Sequence, residues 1–206
     1  MLQIRHTNDT QIEVGIDEAG RGCFWGPLYA AAVIWSPEVA DAPELKNIRD
    51  SKKLSEKKRE ASAEYIKDYA LSWGVGIVTA AEITDLGVTR ANQLSFVRAL
   101  EGLSVQPERL LIDGCISLYD APWSMIPQVV EAEADNKYLP VAAASILAKV
   151  GHDEYVREFC SMNTNIAETY DLAKNKGYGT AKHREGILKH GVTEEHRPLF
   201  LRKLLG

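Results

Sequence analysis

The sequence has little cysteine and no long apolar run. Its three cysteines, Cys23, Cys115 and Cys160, are odd in number and far apart, so neither a disulfide framework nor a zinc site is indicated. No apolar run approaches the roughly 18 residues that span a bilayer, and the N-terminus lacks the apolar segment of a signal peptide. These absences predict a protein of the reducing cytoplasm with no membrane partner.

The overall basic excess that is typical of nucleic-acid-binding proteins is also missing. The formal net charge is −5. Basic residues are nevertheless concentrated in two stretches, 46–59 with seven basic residues against two acidic ones, and 174–190. A bound strand responds to the local field, so both stretches can contact phosphates, although solvated helix faces are the alternative interpretation.

No internal repeat, linker or low-complexity stretch divides the 206 residues. This length is long for one domain and short for two, and a hydrophobic content of 45% is sufficient for a sizeable core. We expect a single domain over residues 1–206 that acts as a monomer, with a helical lobe from about 160 to 206.

Apolar runs and capping residues predict the elements of an α/β fold. Five short runs are typical of strands, and the first two are close enough to form an antiparallel hairpin. They cover residues 12–17, 28–35, 71–78, 109–113 and 128–131. Helical patterns follow the caps Ser55, Thr79 or Thr84, and Thr89, and later occupy 141–160, 180–190 and 193–205. Strands come first and helices dominate the end, which favours a mixed sheet flanked by helices.

Two adjacent acids, Asp17 and Glu18, follow the first apolar run. Neighbouring side chains of a strand point to opposite faces, so these carboxylates reach one site only if the strand ends or bends there. Gly20 and Gly22 permit such a bend, and they leave a bare backbone that a polymer can approach. The ordinary alternative is a strand, a turn and two solvated acids.

Two further acids stand at comparable positions. Asp113 follows the apolar strand at 110–112, and Asp135 precedes the alanine-rich helix. Clustered acids need a cation to stay ionised together, and oxygen ligands alone suit Mg²⁺ or Mn²⁺. Two such ions can drive phosphodiester hydrolysis. The alternative for Asp113 is a turn aspartate before glycine. The acids that compete with Asp135 are Glu131, Glu133 and Asp153.

Five motifs in order resemble the ribonuclease HII (type 2 ribonuclease H) family. They are Asp17-Glu-Ala-Gly-Arg-Gly22, Asp50-Ser-Lys-Lys-Leu-Ser55, Leu111-Ile-Asp-Gly114, Ala142-Ala-Ala-Ser-Ile-Leu-Ala-Lys-Val150 and Lys176-Gly-Tyr-Gly-Thr180, and His196-Arg-Pro-Leu-Phe200 resembles the closing motif. The resemblance covers about 14–200. It implies a ribonuclease H-like fold with a helical C-terminal lobe.

The resemblance also implies an activity. The family cuts RNA–DNA hybrids, and duplex DNA on the 5′ side of a single ribonucleotide, leaving 3′-hydroxyl and 5′-phosphate ends. By the same resemblance, two Mg²⁺ or Mn²⁺ ions would be held by four catalytic acids, which are Asp17, Glu18, Asp113 and Asp135.

The resemblance assigns recognition of the ribose 2′-hydroxyl to Gly20-Arg21-Gly22 and Tyr178. This hydroxyl both donates and accepts hydrogen bonds, and a bare glycine backbone can approach it closely. The candidates for phosphate contacts are Lys52, Lys53, Lys149, Lys182 and Arg184. Lys149 can instead neutralise a buried acid, and Ser145 can cap or pack.

Some residues depart from the family pattern. Cys23-Phe24-Trp25 replaces proline and small aliphatic residues, which bears on the shape of the loop and on substrate preference. Phe-x-Gly-Pro-Leu resembles the sister family ribonuclease HIII, but Arg21 and the short segment before the first strand favour HII. The segment 199–205 lacks the glutamine and paired aromatics of a sliding-clamp peptide, and we interpret it as a core-packing helix.

Two alternatives come from other classes. One is a non-catalytic module that binds RNA–DNA hybrids. The other is a DNA junction nuclease on the same fold, which would cut duplexes without any ribonucleotide.

Overall fold

The computed structural model describes residues 2–36, 45, 47–49 and 51–206. Its centre is a five-stranded sheet in the order β3-β2-β1-β4-β5. The first three strands along the chain pair antiparallel, and β4 pairs parallel with β1 and β5. The strands are β1 Glu13–Ala19, β2 Leu28–Ile34, β3 Ser72–Val78, β4 Arg109–Asp113 and β5 Gln128–Glu131. The predicted mixed sheet and its β1–β2 hairpin are therefore confirmed.

The described part of the chain contains eight helices. They are α1 Glu56–Tyr69, α2 Ala80–Leu86, α3 Val88–Glu101, α4 Leu139–Met162, α5 Thr164–Thr169, α6 Leu172–Asn175, α7 Ala181–His190 and α8 Pro198–Leu205. Short 3-10 turns occupy Ser51–Lys53, Trp123–Met125 and Ala134–Asn136. None of the helices in the described ranges is long and apolar enough to cross a membrane.

The two central strands are covered on both faces, which explains why their sequences are almost continuously apolar. All seven residues of β2 are buried. The long helix α4 packs on one face of β1 and β2, and α3 packs on the other. The approach of α4 is so close that a Cβ on Gly15 would lie 2.2 Å from the backbone carbonyl carbon of Pro140. Small residues in α4 and β1 therefore set the distance between helix and sheet.

A second apolar core joins the C-terminal helices to the loop after β1. Trp25 is its fully buried centre, and Val156, Tyr170, Leu172, Ile187 and Leu201 surround it. The interpretation of the last segment as a core-packing helix is confirmed for Leu201, which is buried, whereas Leu205 is exposed.

Several predicted boundaries were wrong. Strand β1 continues to Ala19 rather than ending at Asp17. Gly87, not Thr89, precedes the first turn of α3. The last helix begins at Pro198 because proline is favoured in a first turn, whereas 193–197 is irregular. Thr79 does cap α2, with the Glu82 side chain completing the reciprocal pair.

Candidate active site at the end of the sheet

The parallel pairing of β1 and β4 brings two of the predicted acids to one end of the sheet. Ile16 pairs with Ile112, so the next residues, Asp17 and Asp113, occupy equivalent positions at the point where this pairing stops. The backbone N–H of Ala134 donates to Asp113 Oδ1 at 2.7 Å. This hydrogen bond ties the turn that carries Asp135 to the end of β4.

Asp17 and Glu18 reach this end from opposite faces of β1, because the strand neither ends nor bends between them. Asp17 lies near Ser145 of α4, and Glu18 lies near Asn92 of α3. Glu18 also lies 3.6 Å from Arg21. The strand therefore ends later than expected, but the chain turns at Gly20, one of the two glycines predicted to permit a bend, and its φ of 81° favours glycine.

The electrostatics of these acids are unfavourable without a counter-ion. Burial raises the pKa of Asp17 well above its usual range, and the charges of Glu18 and Asp113 raise it further. Burial also raises the pKa of Glu18, although Arg21 and Asn92 oppose that rise. Three of the four predicted acids thus interact with one another through space.

Asp135 is the buried acid of its segment, with 3% of its surface exposed. Its three rivals are engaged elsewhere or exposed. Glu131 pairs with Lys137, and Asp153 pairs with Arg59 and Lys149. Glu133 is exposed and precedes the turn. The geometry therefore favours Asp135 over these rivals as the fourth acid.

The donor chemistry of this group fits a hard divalent cation, since all four side chains offer carboxylate oxygens. Within the ranges that the structure describes, however, no three His, Cys, Asp or Glu side chains form a ready-made metal-binding group. The acids gather at one end of the sheet, and an ion would have to draw them together.

The predicted sugar-recognition residues also meet in space. Tyr178 pairs with Cys23 in an isolated antiparallel bridge, its ring centroid lies 6.3 Å from that of His152, and burial raises its pKa. A Cβ on Gly20 would lie 2.5 Å from the His152 ring, so this position requires glycine. Gly22 is different, because no atom lies within 4 Å of the point that its Cβ would occupy. The loop is thus packed at Gly20 and bare at Gly22.

The segment Cys23-Phe24-Trp25, which departs from the family pattern, forms backbone hydrogen bonds with two distant segments. The N–H of Phe24 donates to Gly177 O at 2.8 Å, and the N–H of Arg197 donates to Phe24 O at 2.8 Å. The loop is therefore held in one shape by backbone hydrogen bonds and by the burial of Trp25.

Arg197 is a site residue that the sequence motif contained without revealing its role. It is fully buried and donates to the carbonyls of Gly20 at 2.8 Å, Arg21 at 3.2 Å and Gly26 at 2.7 Å. Burial lowers its pKa to about 10, so it stays charged at neutral pH. Its only sequence signal was a cation within the apolar closing motif.

His152 was missed by the sequence analysis. It is fully buried, its Nδ1 lies 3.2 Å from Asp153 Oδ1, and its Nε2 lies 3.7 Å from Cys23 Sγ. A histidine in mid-helix carries no distinguishing pattern, so only the fold shows that it supports Gly20.

The predicted phosphate-contacting residues fall into separate places. Lys53 donates to Asn136 next to the acids, whereas Arg184 donates to Gly179 O at 3.0 Å beside Tyr178. Lys52 and Lys182 are exposed in the same two segments. Lys46 and Asp50, which belong to the first basic stretch and to the second motif, lie outside the described residues.

Lys149 follows the alternative that the sequence left open. Its Nζ lies 2.7 Å from Asp153 Oδ1, so it neutralises a buried acid. The same nitrogen lies 5.7 Å from the centroid of the Tyr178 ring. Ser145 lies with its Oγ 3.0 Å from Ser51 Oγ, which joins α4 to the second motif.

This mixed sheet with acids at one end and a glycine-rich loop beside them defines a ribonuclease H-like α/β protein. The sequence model of the Ribonuclease HII family matches residues 14–203. The chain therefore belongs to the ribonuclease HII family, and it is a hydrolase of the ribonuclease H type.

Individual relatives agree over nearly the whole chain. A ribonuclease HII of Bacteroides thetaiotaomicron is 46% identical over 207 residues, covering 100% of this chain and 96% of the relative. The crystal structure of ribonuclease H2 from Pyrococcus horikoshii is similar, with a TM-score of 0.71, 26% identity, and coverage of 93% of this chain and 96% of the other. Ribonuclease HII from Archaeoglobus fulgidus, solved in a complex with PCNA, is similar with a TM-score of 0.68 and 28% identity. The match covers 90% of this chain and 93% of the other.

Proposed function

We propose that this protein is a metal-dependent endoribonuclease that cuts the RNA strand of RNA–DNA hybrids and cuts 5′ of single ribonucleotides in duplex DNA. The products carry 3′-hydroxyl and 5′-phosphate ends. Family membership supports the coarser part of this proposal. The finer part depends mainly on one observation, the antiparallel bridge between Tyr178 and Cys23, which places Tyr178 against the glycine-rich loop beside the acids.

The pairing of Tyr178 with the Gly20–Gly22 loop suits recognition of a ribose. Tyr178 has 39% of its surface exposed, so its ring is open to a sugar while its backbone is paired with Cys23 of the loop. The open space around the Gly22 Cα allows the backbone to approach the 2′-hydroxyl. A site that hydrogen-bonds this hydroxyl would discriminate against deoxyribose, because its polar groups would otherwise stay unpaired.

Asp17, Glu18, Asp113 and Asp135 would hold two Mg²⁺ or Mn²⁺ ions. When bound, the ions would supply an activated water and stabilise charge on the leaving oxygen. The raised pKa of Asp17 supports this proposal, since a cation relieves the repulsion among its neighbours. The Ala134 N–H would keep the Asp113 carboxylate oriented through its hydrogen bond to Oδ1.

Exposed basic residues would contact the phosphates of the substrate. Lys52 and Lys53 lie in the turn that reaches Asn136, and Lys182 and Arg184 lie in α7 after Tyr178. These two places would hold different parts of the nucleic acid, which explains how a protein with a net charge of −5 can bind it. Lys149 would act mainly by balancing Asp153 below the Tyr178 ring.

We further propose that residues 1–206 act as one catalytic domain, as a monomer in the cytoplasm. We assign no sliding-clamp peptide to the last helix, because Leu201 is buried in the second core.

Cleavage mapping tests the proposal. End-labelled duplexes with one ribonucleotide, with a full RNA strand and with DNA only are incubated with Mg²⁺ or Mn²⁺. We expect a cut 5′ of the single ribonucleotide, several cuts in the hybrid and none in DNA. Binding of the hybrid without cleavage would favour the non-catalytic module, and cleavage of DNA alone would favour a junction nuclease.

A further inference from the structure

We infer that His183 and His196 are positioning residues that orient Tyr178 through its backbone carbonyl. This inference rests on the proposed role of Tyr178 as the sugar-contacting residue. His183 Nδ1 lies 3.0 Å from Tyr178 O, and His183 Nε2 lies 3.1 Å from His196 Nε2. Both imidazoles are buried, so each polar atom must find its partner within the protein.

The hydrogen bond from Thr193 to His196 determines which nitrogen of each imidazole carries the proton. The Thr193 backbone N–H lies 2.9 Å from His196 Nδ1, and because a backbone N–H can only donate, Nδ1 must accept. In a neutral His196 the proton is then on Nε2, which donates to His183 Nε2. His183 must therefore carry its proton on Nδ1, which donates to Tyr178 O.

The surroundings keep both rings neutral. Burial lowers the pKa of His183, and it lowers that of His196 to about 4. Asp171 acts on His183 in the opposite direction, and the Tyr170 ring lies edge-on to His196 with centroids 4.7 Å apart. The hydrogen bonds that run from Thr193 through the two histidines to Tyr178 are thus intact at neutral pH.

This series of hydrogen bonds ends at Tyr178, where the backbone needs such support. Tyr178 stands between Gly177 and Gly179, which restrict the backbone little. Its carbonyl accepts from Thr180 N at 2.8 Å and from His183. The second bond fixes the peptide plane, and the plane fixes the direction in which the ring leaves the backbone towards Gly20.

Two substitutions at one position separate the two ends of His183. In His183→Asn the side-chain amide can replace Nδ1 and keep the bond to Tyr178, but it cannot reach His196. In His183→Gln the amide can replace Nε2 and keep the contact with His196, but it loses Tyr178. We expect kcat/KM on the single-ribonucleotide duplex to be about tenfold lower for Gln than for Asn.

The same pair in a Tyr178→Ala background tests whether His183 acts through the ring. If it does, the Gln and Asn variants should differ little there, because coupled residues are not additive. A tenfold difference that persists without the ring would overturn the inference, and so would equal activities in the parent background. If Tyr178→Ala itself leaves cleavage unchanged, the sugar-contacting role fails and the positioning role fails with it.

A measurement on the unmutated protein covers the case in which either variant fails to fold. Nitrogen-15 NMR of the histidine rings at pH 7 should give the Nδ1–H tautomer for His183 and the Nε2–H tautomer for His196. The opposite tautomer at His183, or a protonated pair, would contradict the inference regardless of any activity.

Discussion

Two neighbouring regions, the acids at the sheet end and the loop around Gly20–Gly22, differ in how their polar groups are balanced. Asp17 is buried beside other carboxylates, and its pKa is raised. In the loop, Arg197 is buried beside the carbonyls of Gly20, Arg21 and Gly26 and donates to all three. One region leaves negative charge uncompensated for a cation to bind, whereas the other satisfies its carbonyls and fixes a shape for reading a sugar.

Removing one acid should have the largest effect on activity. In Asp113→Asn the retained Oδ1 can still accept from Ala134 N–H, so the fold should persist while cleavage falls by about 10³-fold or more. Single-turnover kinetics with Mg²⁺ and with Mn²⁺ would measure this loss. Glu64→Gln is the matched control, because the exposed Glu64 pairs with Lys67 of its own helix α1, and near-normal cleavage is expected. Full activity in Asp113→Asn would remove Asp113 from the site.

The loop should respond to mutation with a loss of stability as well as activity. Arg197→Leu removes the donor to three carbonyls, of which Gly20 O keeps the Cys23 N–H and Arg21 O is only partly buried. Each buried group left unsatisfied costs about 1–3 kcal/mol, so we expect the free energy of unfolding to fall by about 2–4 kcal/mol in urea titrations, with weaker cleavage of the single-ribonucleotide duplex. Arg202→Leu, at an exposed position of α8, should change neither quantity. Equal stability of the two variants would contradict the assigned role of Arg197.

The two regions also differ in how far the sequence predicted them. Asp17 and Asp113 each follow an apolar run that predicts a strand, and this pattern was enough to predict that the two acids lie near each other. The directions of the Asp17 and Glu18 side chains were not predictable, because they depend on the residue at which β1 ends. The support of the loop by Arg197 and His152 was hidden for another reason. These contacts join the loop to residues more than 120 positions away, His152 within α4 and Arg197 just before α8, and no local pattern encodes them.

Acid should weaken the loop through His196. Its pKa is lowered to about 4 in the folded protein, whereas an unfolded histidine titrates near 6.5. The unfolded state therefore binds more protons as the pH falls from about 6.5 to 4, and folding loses up to about 2–3 kcal/mol over that range. Urea titrations at pH 7 and 4.5 should show this loss. His196→Gln should show a smaller one, and an equal pH dependence would contradict the assignment.

Removing the charge of Asp17 should give the smallest change in the free energy of unfolding. This change should be a gain, whereas Arg197→Leu should give a loss. A carboxyl with a raised pKa opposes folding increasingly as the pH rises above the unfolded value near 3.8. Asp17→Asn removes this cost and retains an acceptor for the Glu18 N–H, so metal-free protein in chelator should gain about 1 kcal/mol at pH 7.5. The gain should shrink at pH 5, as thermal unfolding would show. Added Mg²⁺ or Mn²⁺ should stabilise the unmutated protein more than the variant, because binding to the folded state alone raises stability. A variant less stable than its parent at pH 7.5 would mean that the carboxylates at this end of the sheet already balance one another without an ion.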